Sequence, residues 1–171
     1  MLRKFGIIAV LSLMALALAA VPALAVTNFN NAPSGAHYRQ GSAEPVCTIN
    51  QATNTVSCSG TTIGGVGNTA ATVSLSVSAT ANLTCTNRGG NRVEPHDSTV
   101  SDTTTAREFP SRNGQIVIDP VSERITAGDV TGAFTCPNPN WTEDVQSITV
   151  TGFTYTVTFD GEQLPAIRVT G

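Results

Sequence analysis

Residues 71–85 alternate without a break. Ala71, Val73, Leu75, Val77, Ala79, Ala81, Leu83 and Cys85 are apolar, and Thr72, Ser74, Ser76, Ser78, Thr80, Asn82 and Thr84 between them are polar. Successive side chains of a strand point to opposite faces, so this pattern predicts one long strand with one buried face. At about 3.3 Å per residue it would run about 50 Å, and a bend or twist is expected near residues 79–81. A second long run, residues 147–159, changes phase. Ile148 and Val150 share one parity, whereas Phe153, Tyr155, Val157 and Phe159 share the other. A one-residue slip exchanges the faces of a strand, so a bulge is expected at Gly152.

Turn signals divide the rest of the chain into short strands. Residues 46–50 and 55–59 predict a hairpin around Asn50-Gln51-Ala52-Thr53-Asn54. Gly64-Gly65-Val66-Gly67-Asn68 is a turn cluster. Asn113-Gly114 predicts a hairpin turn before a strand at 115–119, and Asp160-Gly161 predicts a type I′ turn before a last strand at 164–169. Pro165 lacks an amide donor, which places that last strand at an edge. Residues 98–106 are Ser/Thr-rich and read as another edge strand. Residues 130–136 read as a strand ended by Pro137. Residues 87–97 and 138–141 read as loops. Helical periodicity is absent beyond residue 25. Seven to nine short strands predict an all-β, two-sheet antiparallel sandwich of immunoglobulin-like architecture, with a closed barrel as the alternative. Trp141 follows the last cysteine instead of lying between paired cysteines, so the resemblance to immunoglobulin domains is one of architecture alone.

The N-terminus changes the compartment. Arg3 and Lys4 precede an apolar run from Gly6 to Ala20, Pro22 breaks it, and Ala23-Leu24-Ala25 has the small-x-small form of a cleavage site. Residues 1–25 therefore read as a secretory signal peptide, leaving a flexible segment at 26–44 and one β domain at 45–171. The chain has 171 residues, 40% hydrophobic and 12% charged, which suits one domain and is too apolar for disorder throughout. Removing Arg3 and Lys4 takes the net charge from −3 to −5 and removes the one lysine. A secreted, mildly acidic, lysine-free protein offers no lysine nucleophile and no basic patch for nucleic acid, and no membrane contact is expected after cleavage.

Cys47, Cys58, Cys85 and Cys136 make an even number, which in an exported chain predicts two disulfides. Of three pairings, Cys47–Cys58 across the hairpin and Cys85–Cys136 over a long loop are expected. The C-x₂₋₄-C spacing of zinc sites is absent, so neither metal nor cofactor is expected. Bonding Cys85 to Cys136 would bring together the loops that follow them. These carry Asn87, Arg88, Asn91, Arg92, Asn138, Asn140 and Trp141, a set suited to a sugar or peptide ligand. The bland alternative is that Trp141 plugs the core and the asparagines form turns. Glu94, His96, Asp97 and Asp102 form a small acidic cluster that reads as a solvated loop rather than a Ca²⁺ site. His37 and His96 are the only histidines, and no G-x-S-x-G occurs, so catalysis is not expected.

Three segments together resemble a known group. They are Cys85-Thr86-Asn87-Arg88-Gly89-Gly90-Asn91, Asn113-Gly114 before a strand, and Cys136-Pro137-Asn138-Pro139-Asn140-Trp141-Thr142. With the early cysteine hairpin, they are similar to uncharacterised secreted bacterial proteins, frequent in actinobacteria, that carry C-x-N-P-G-G-N and C-P-N-P-N-W segments. The similarity covers residues 45–171. Arg88 stands where that group has proline, and Glu94-Pro95-His96-Asp97 where it is rich in Pro, Gly and Gln. The resemblance implies an exported β domain and no particular activity. The expected role is non-catalytic surface contact in the cell envelope or extracellular matrix, through self-association by edge strands or the N-terminal segment. The alternatives are a monomeric module binding a cell-surface glycan or protein through the disulfide-linked loops, and a small secreted hydrolase.

Overall fold

The structure is a computed structural model. It describes residues 23–93, 96–103, 106–132 and 135–171, without the side chains of His96, Asp102 and Thr103. The expected signal peptide lies outside the described residues except for Ala23, Leu24 and Ala25. The chain forms twelve described strands: β1 (Ala25–Thr27), β2 (His37–Tyr38), β3 (Cys47–Asn50), β4 (Thr55–Cys58), β5 (Thr61–Gly64), β6 (Ala71–Asn87), β7 (His96–Thr103), β8 (Arg107–Phe109), β9 (Gln115–Ile118), β10 (Val121–Arg124), β11 (Trp141–Phe159) and β12 (Ile167–Thr170). One helical turn, α1 (Ala127–Val130), separates β10 from β11. All pairings are antiparallel. The large sheet runs β1-β12-β11-β6-β7, with β8 also on β6, and two three-stranded sheets run β10-β4-β3 and β2-β5-β9.

The two long strands form the spine. β6 pairs with β11 along its whole length, from Ala71 opposite Phe159 to Asn87 opposite Trp141. Its odd-numbered residues from Ala71 to Cys85 are buried. On β11, the register shifts between Val150 and Gly152, and again between Val145 and Ser147. The first shift is the predicted slip. It keeps Val150 buried on one parity and Phe153, Tyr155, Val157 and Phe159 buried on the other. Both irregularities lie opposite residues 78–83 of β6, where extra local twist is expected of bulges. Val56, Ile63, Ile116, Ile118 and Ile125 from outside the large sheet join its apolar face in one core. The all-β class with antiparallel sheets and two disulfides stands, and the shared core is compatible with a layered sandwich.

Both expected disulfides form, which fits a chain folding where thiols are oxidised. Cys47 and Cys58 face each other across β3 and β4 with Cα atoms 4.0 Å apart. The amide of Ser59 bonds the carbonyl of Val46 one step along, which makes the cysteines a non-hydrogen-bonded pair. Such pairs lie closer than hydrogen-bonded ones, hence the short separation.

Four local expectations are corrected. Residues 26–44, expected to lie loose, are docked. β1 pairs with β12, Phe29 meets Tyr38 edge-on at 5.1 Å between centroids, and Thr27 Oγ1 lies 2.7 Å from the Tyr38 hydroxyl. Polar contacts hold the rest. Asn31 donates to the Pro165 carbonyl, Thr61 donates to the Ala43 carbonyl, and Ser42 accepts from the Thr62 amide. A count of apolar residues misses a segment held this way. β12 is consequently not an edge strand, since β1 lies beyond it. Pro165 precedes the strand and removes no ladder bond. The Asp160-Gly161 turn has positive φ at Gly161 alone, with Glu162 N–H bonding Phe159 O, so it is a type II rather than a type I′ turn. Residues 130–136 hold no strand among the described residues. Val130 ends α1, whose first turn is capped reciprocally by Thr126 and Asp129.

The docked segment makes a test available. Gly65 has φ +75°, and a Cβ there would lie 2.0 Å from the Gly35 carbonyl oxygen. Gly114 has φ +72° and open space. The same backbone penalty applies at both, of order 1 kcal/mol. Gly65→Ala adds a backbone clash, so it is expected to lower the unfolding free energy clearly more than Gly114→Ala and to expose residues 36–44 to limited proteolysis. Equal losses in the two variants would contradict the docking.

Candidate functional site

The Cys85–Cys136 bond, with Cα atoms 5.8 Å apart across a separation of 51 residues, ties the segment before β11 to the end of β6. Both strands reach this end of the sheet, so Trp141 pairs with Asn87 and Glu143 with Cys85. Trp141 is the first residue of β11 rather than a loop residue. Period two puts Trp141 and Glu143 on the same face of the strand, the face crossed by the bonded Cys136.

Between them and the returning segment lies an open hollow of about 560 Å³, lined by Gly132, Thr135, Cys136, Pro137, Asn138, Pro139, Trp141 and Glu143. Trp141 is half-buried. Glu143 accepts the Gly132 amide at 2.9 Å through Oε2, while Oε1 is buried with no hydrogen-bond partner among the described residues. That oxygen has acceptor capacity but no contact with solvent, so a ligand donor reaches it only when the lining of the hollow shifts. An aromatic face beside a carboxylate acceptor can stack on a sugar ring and accept from its hydroxyls.

The asparagines do different work. Asn87 Oδ1 accepts the amides of Gly89 and Asn91, each at 2.9 Å, and so shapes its own turn. Asn138 Oδ1 accepts the amide of Asn140 at 3.0 Å, and Trp141 N–H bonds Asn138 O at 3.2 Å. Both side-chain carbonyls are committed to backbone, as Asx turns require. Arg88, Asn91 and Arg92 are exposed at the tip beyond β6, and Asn140 is exposed beside Trp141. Of the residues singled out from sequence, Asn138 and Trp141 line the hollow with Cys136. Arg88, Asn91, Arg92 and Asn140 do not line it. Glu143 was not singled out, although its place two residues after Trp141 in a strand was the available signal.

The acidic cluster is only partly visible. Glu94 lies outside the described residues, as do the side chains of His96 and Asp102. Asp97 accepts from Asn82 Nδ2 at 2.9 Å. His37 Nδ1 lies 2.7 Å from the Gly35 carbonyl. No group of three or more His, Cys, Asp or Glu suited to a metal occurs among the described residues. No described helix is long and apolar enough to cross a membrane.

Comparison with known proteins adds no assignment: no protein-family model, no curated protein and no solved structure matches the chain.

Proposed function

We propose that this is an exported, non-catalytic module that works by surface contact, and that its contact site is the hollow at the Cys85–Cys136 end. The ligand class is a neutral glycan. The observation that carries the reading is the pairing of the half-buried Trp141 with Glu143 Oε1, unpartnered among the described residues, in one hollow. An unsatisfied acceptor costs free energy that a ligand hydroxyl would recover. The disulfide holds the far wall in place before the ligand arrives, which reduces the ordering cost of binding.

The test is a calorimetric titration against a panel of neutral oligosaccharides. Trp141→Ala and Glu143→Gln are each expected to weaken binding at least about tenfold, the equivalent of about 1.4 kcal/mol. Trp141→Ala that folds normally and keeps every measured interaction would overturn the reading.

The assembly reading keeps one support. β7 is the outer strand of the large sheet and, among the described residues, pairs on one side only. The other route, donation of the N-terminal segment, would require β1 to leave β12 of its own chain. Light scattering on the chain from Val26 beside a copy starting at Pro45 separates the routes. Assembly of the longer form alone would favour donation, and assembly of both would favour β7.

A further inference from the structure

A second surface lies away from the disulfide end, over the outward side of β9. One hollow of about 440 Å³ is lined by Arg107, Pro110, Arg112, Gln115 and Val117 among others. A second, of about 310 Å³, is lined by Arg39, Gln115 and Val117 among others. Gln115 and Val117 line both, so the two hollows adjoin along β9, with Arg107 and Arg112 in one and Arg39 in the other. Three of the eight arginines in the chain stand along this groove.

These guanidinium groups are placed for a ligand. Arg107 lies over the Phe109 ring at 5.2 Å, a contact that orients its planar fork. Neither Arg107 nor Arg112 makes an ion pair among the described residues. Arg39 donates one Nη to Gln115 Oε1 at 2.7 Å and keeps its other donors. Glu108 and Asp119 also line the first hollow, so the groove holds three cationic and two anionic residues. Glu108 is opposite Thr72 on β6, and Glu108 and Asp119 are the two carboxylates that compete for the arginines within the first hollow. The whole chain carries −3, so a net positive groove is a local reversal of sign. Val117 is 55% exposed and Pro110 is exposed, which adds apolar surface beside the arginines.

From this geometry we propose that the groove binds a linear carboxylated polysaccharide, a polyuronate. Arginine forks bind carboxylates in bidentate pairs, and arginines in two adjoining hollows beside apolar surface suit acidic groups repeated along a chain of sugar rings. Strand addition by a peptide fits less well. Arg112 already exchanges both backbone bonds with Gln115, which leaves little of the four-residue β9 edge for a ladder.

The inference is independent of the neutral-glycan site, and the experiment keeps them apart. The probe is an oligogalacturonate of about ten residues, with its fully methyl-esterified form as the uncharged comparison, titrated into the chain from Val26 at low and high salt. The acid form is expected to bind, to weaken as salt shortens the screening length, and to lose about tenfold with Arg107→Gln or Arg112→Gln. Trp141→Ala is expected to leave this binding unchanged. The arginines are exposed, so their variants are expected to melt as the parent does. Absence of oligogalacturonate binding, equal binding of the esterified form, binding only to a phosphate polymer, or binding untouched by both arginine variants would each overturn the proposal.

Discussion

Replacing Cys85 and Cys136 together by alanine is expected to lower the unfolding free energy by about 4 kcal/mol, because the bond closes a loop of 51 residues. The Cys47–Cys58 pair spans 11 residues, and its removal is expected to cost less, about 3 kcal/mol. Denaturant titration of both double variants, with the midpoint and slope compared, checks the order. The long-range pair has a second consequence. It fixes residues 135–139 against the Trp141 face, so its loss is expected to open the hollow and shift Trp141 emission to longer wavelength while β6 and β11 remain paired. A loss below about 1 kcal/mol with unchanged emission would mean that strand pairing alone holds this end together.

Phe159→Ala is expected to cost about 3–5 kcal/mol, whereas its neighbour Thr158→Ala should change stability by about 1 kcal/mol or less. Phe159 is 1% exposed, in the core opposite Ala71, while Thr158 lies on the polar face opposite Thr72. The comparison isolates the face assignment, since both residues share the same backbone pairing. Similar losses at the two positions would contradict the phase that β11 adopts after its bulge.

That phase was legible in the sequence because it depends on local geometry. Ile148 and Val150 on one parity and Phe153 to Phe159 on the other force a slip, and Gly152 marks it. The cysteine hairpin was legible for the same reason, through the turn-rich stretch Asn50 to Asn54 between its cysteines. The N-terminal segment was not. Its docking depends on Asn31 reaching the carbonyl of Pro165, 134 residues away, and on Thr61 reaching the carbonyl of Ala43. Such bonds leave no periodic trace. The neighbours of β12 were misjudged for a related reason. Pro165 was read as part of the strand, although the strand begins two residues later.

The site was half legible. The disulfide and Trp141 pointed to the right end of the sheet. The asparagines were drawn in by their chemistry, but Asn87 and Asn138 direct their side-chain carbonyls to their own turns. Glu143 escaped notice because residues 138–141 read as a loop, in which period two does not apply. Once β11 starts at Trp141, the same rule that locates the core brings Glu143 beside it. The arginine groove was hidden for a different reason. Arg39 and the Arg107/Arg112 pair come from two distant stretches, and only the placement of β9 brings them to one surface.

Trp141 is the only tryptophan in the chain, so intrinsic fluorescence reports on the proposed contact site without labelling. The measurement that tests the account most directly is an emission titration of the chain from Val26 against neutral oligosaccharides. Stacking of a sugar ring on the indole predicts a saturable blue shift that Glu143→Gln weakens. Unchanged emission across the panel, from a protein that melts cooperatively, would contradict the assignment of this hollow as the functional site.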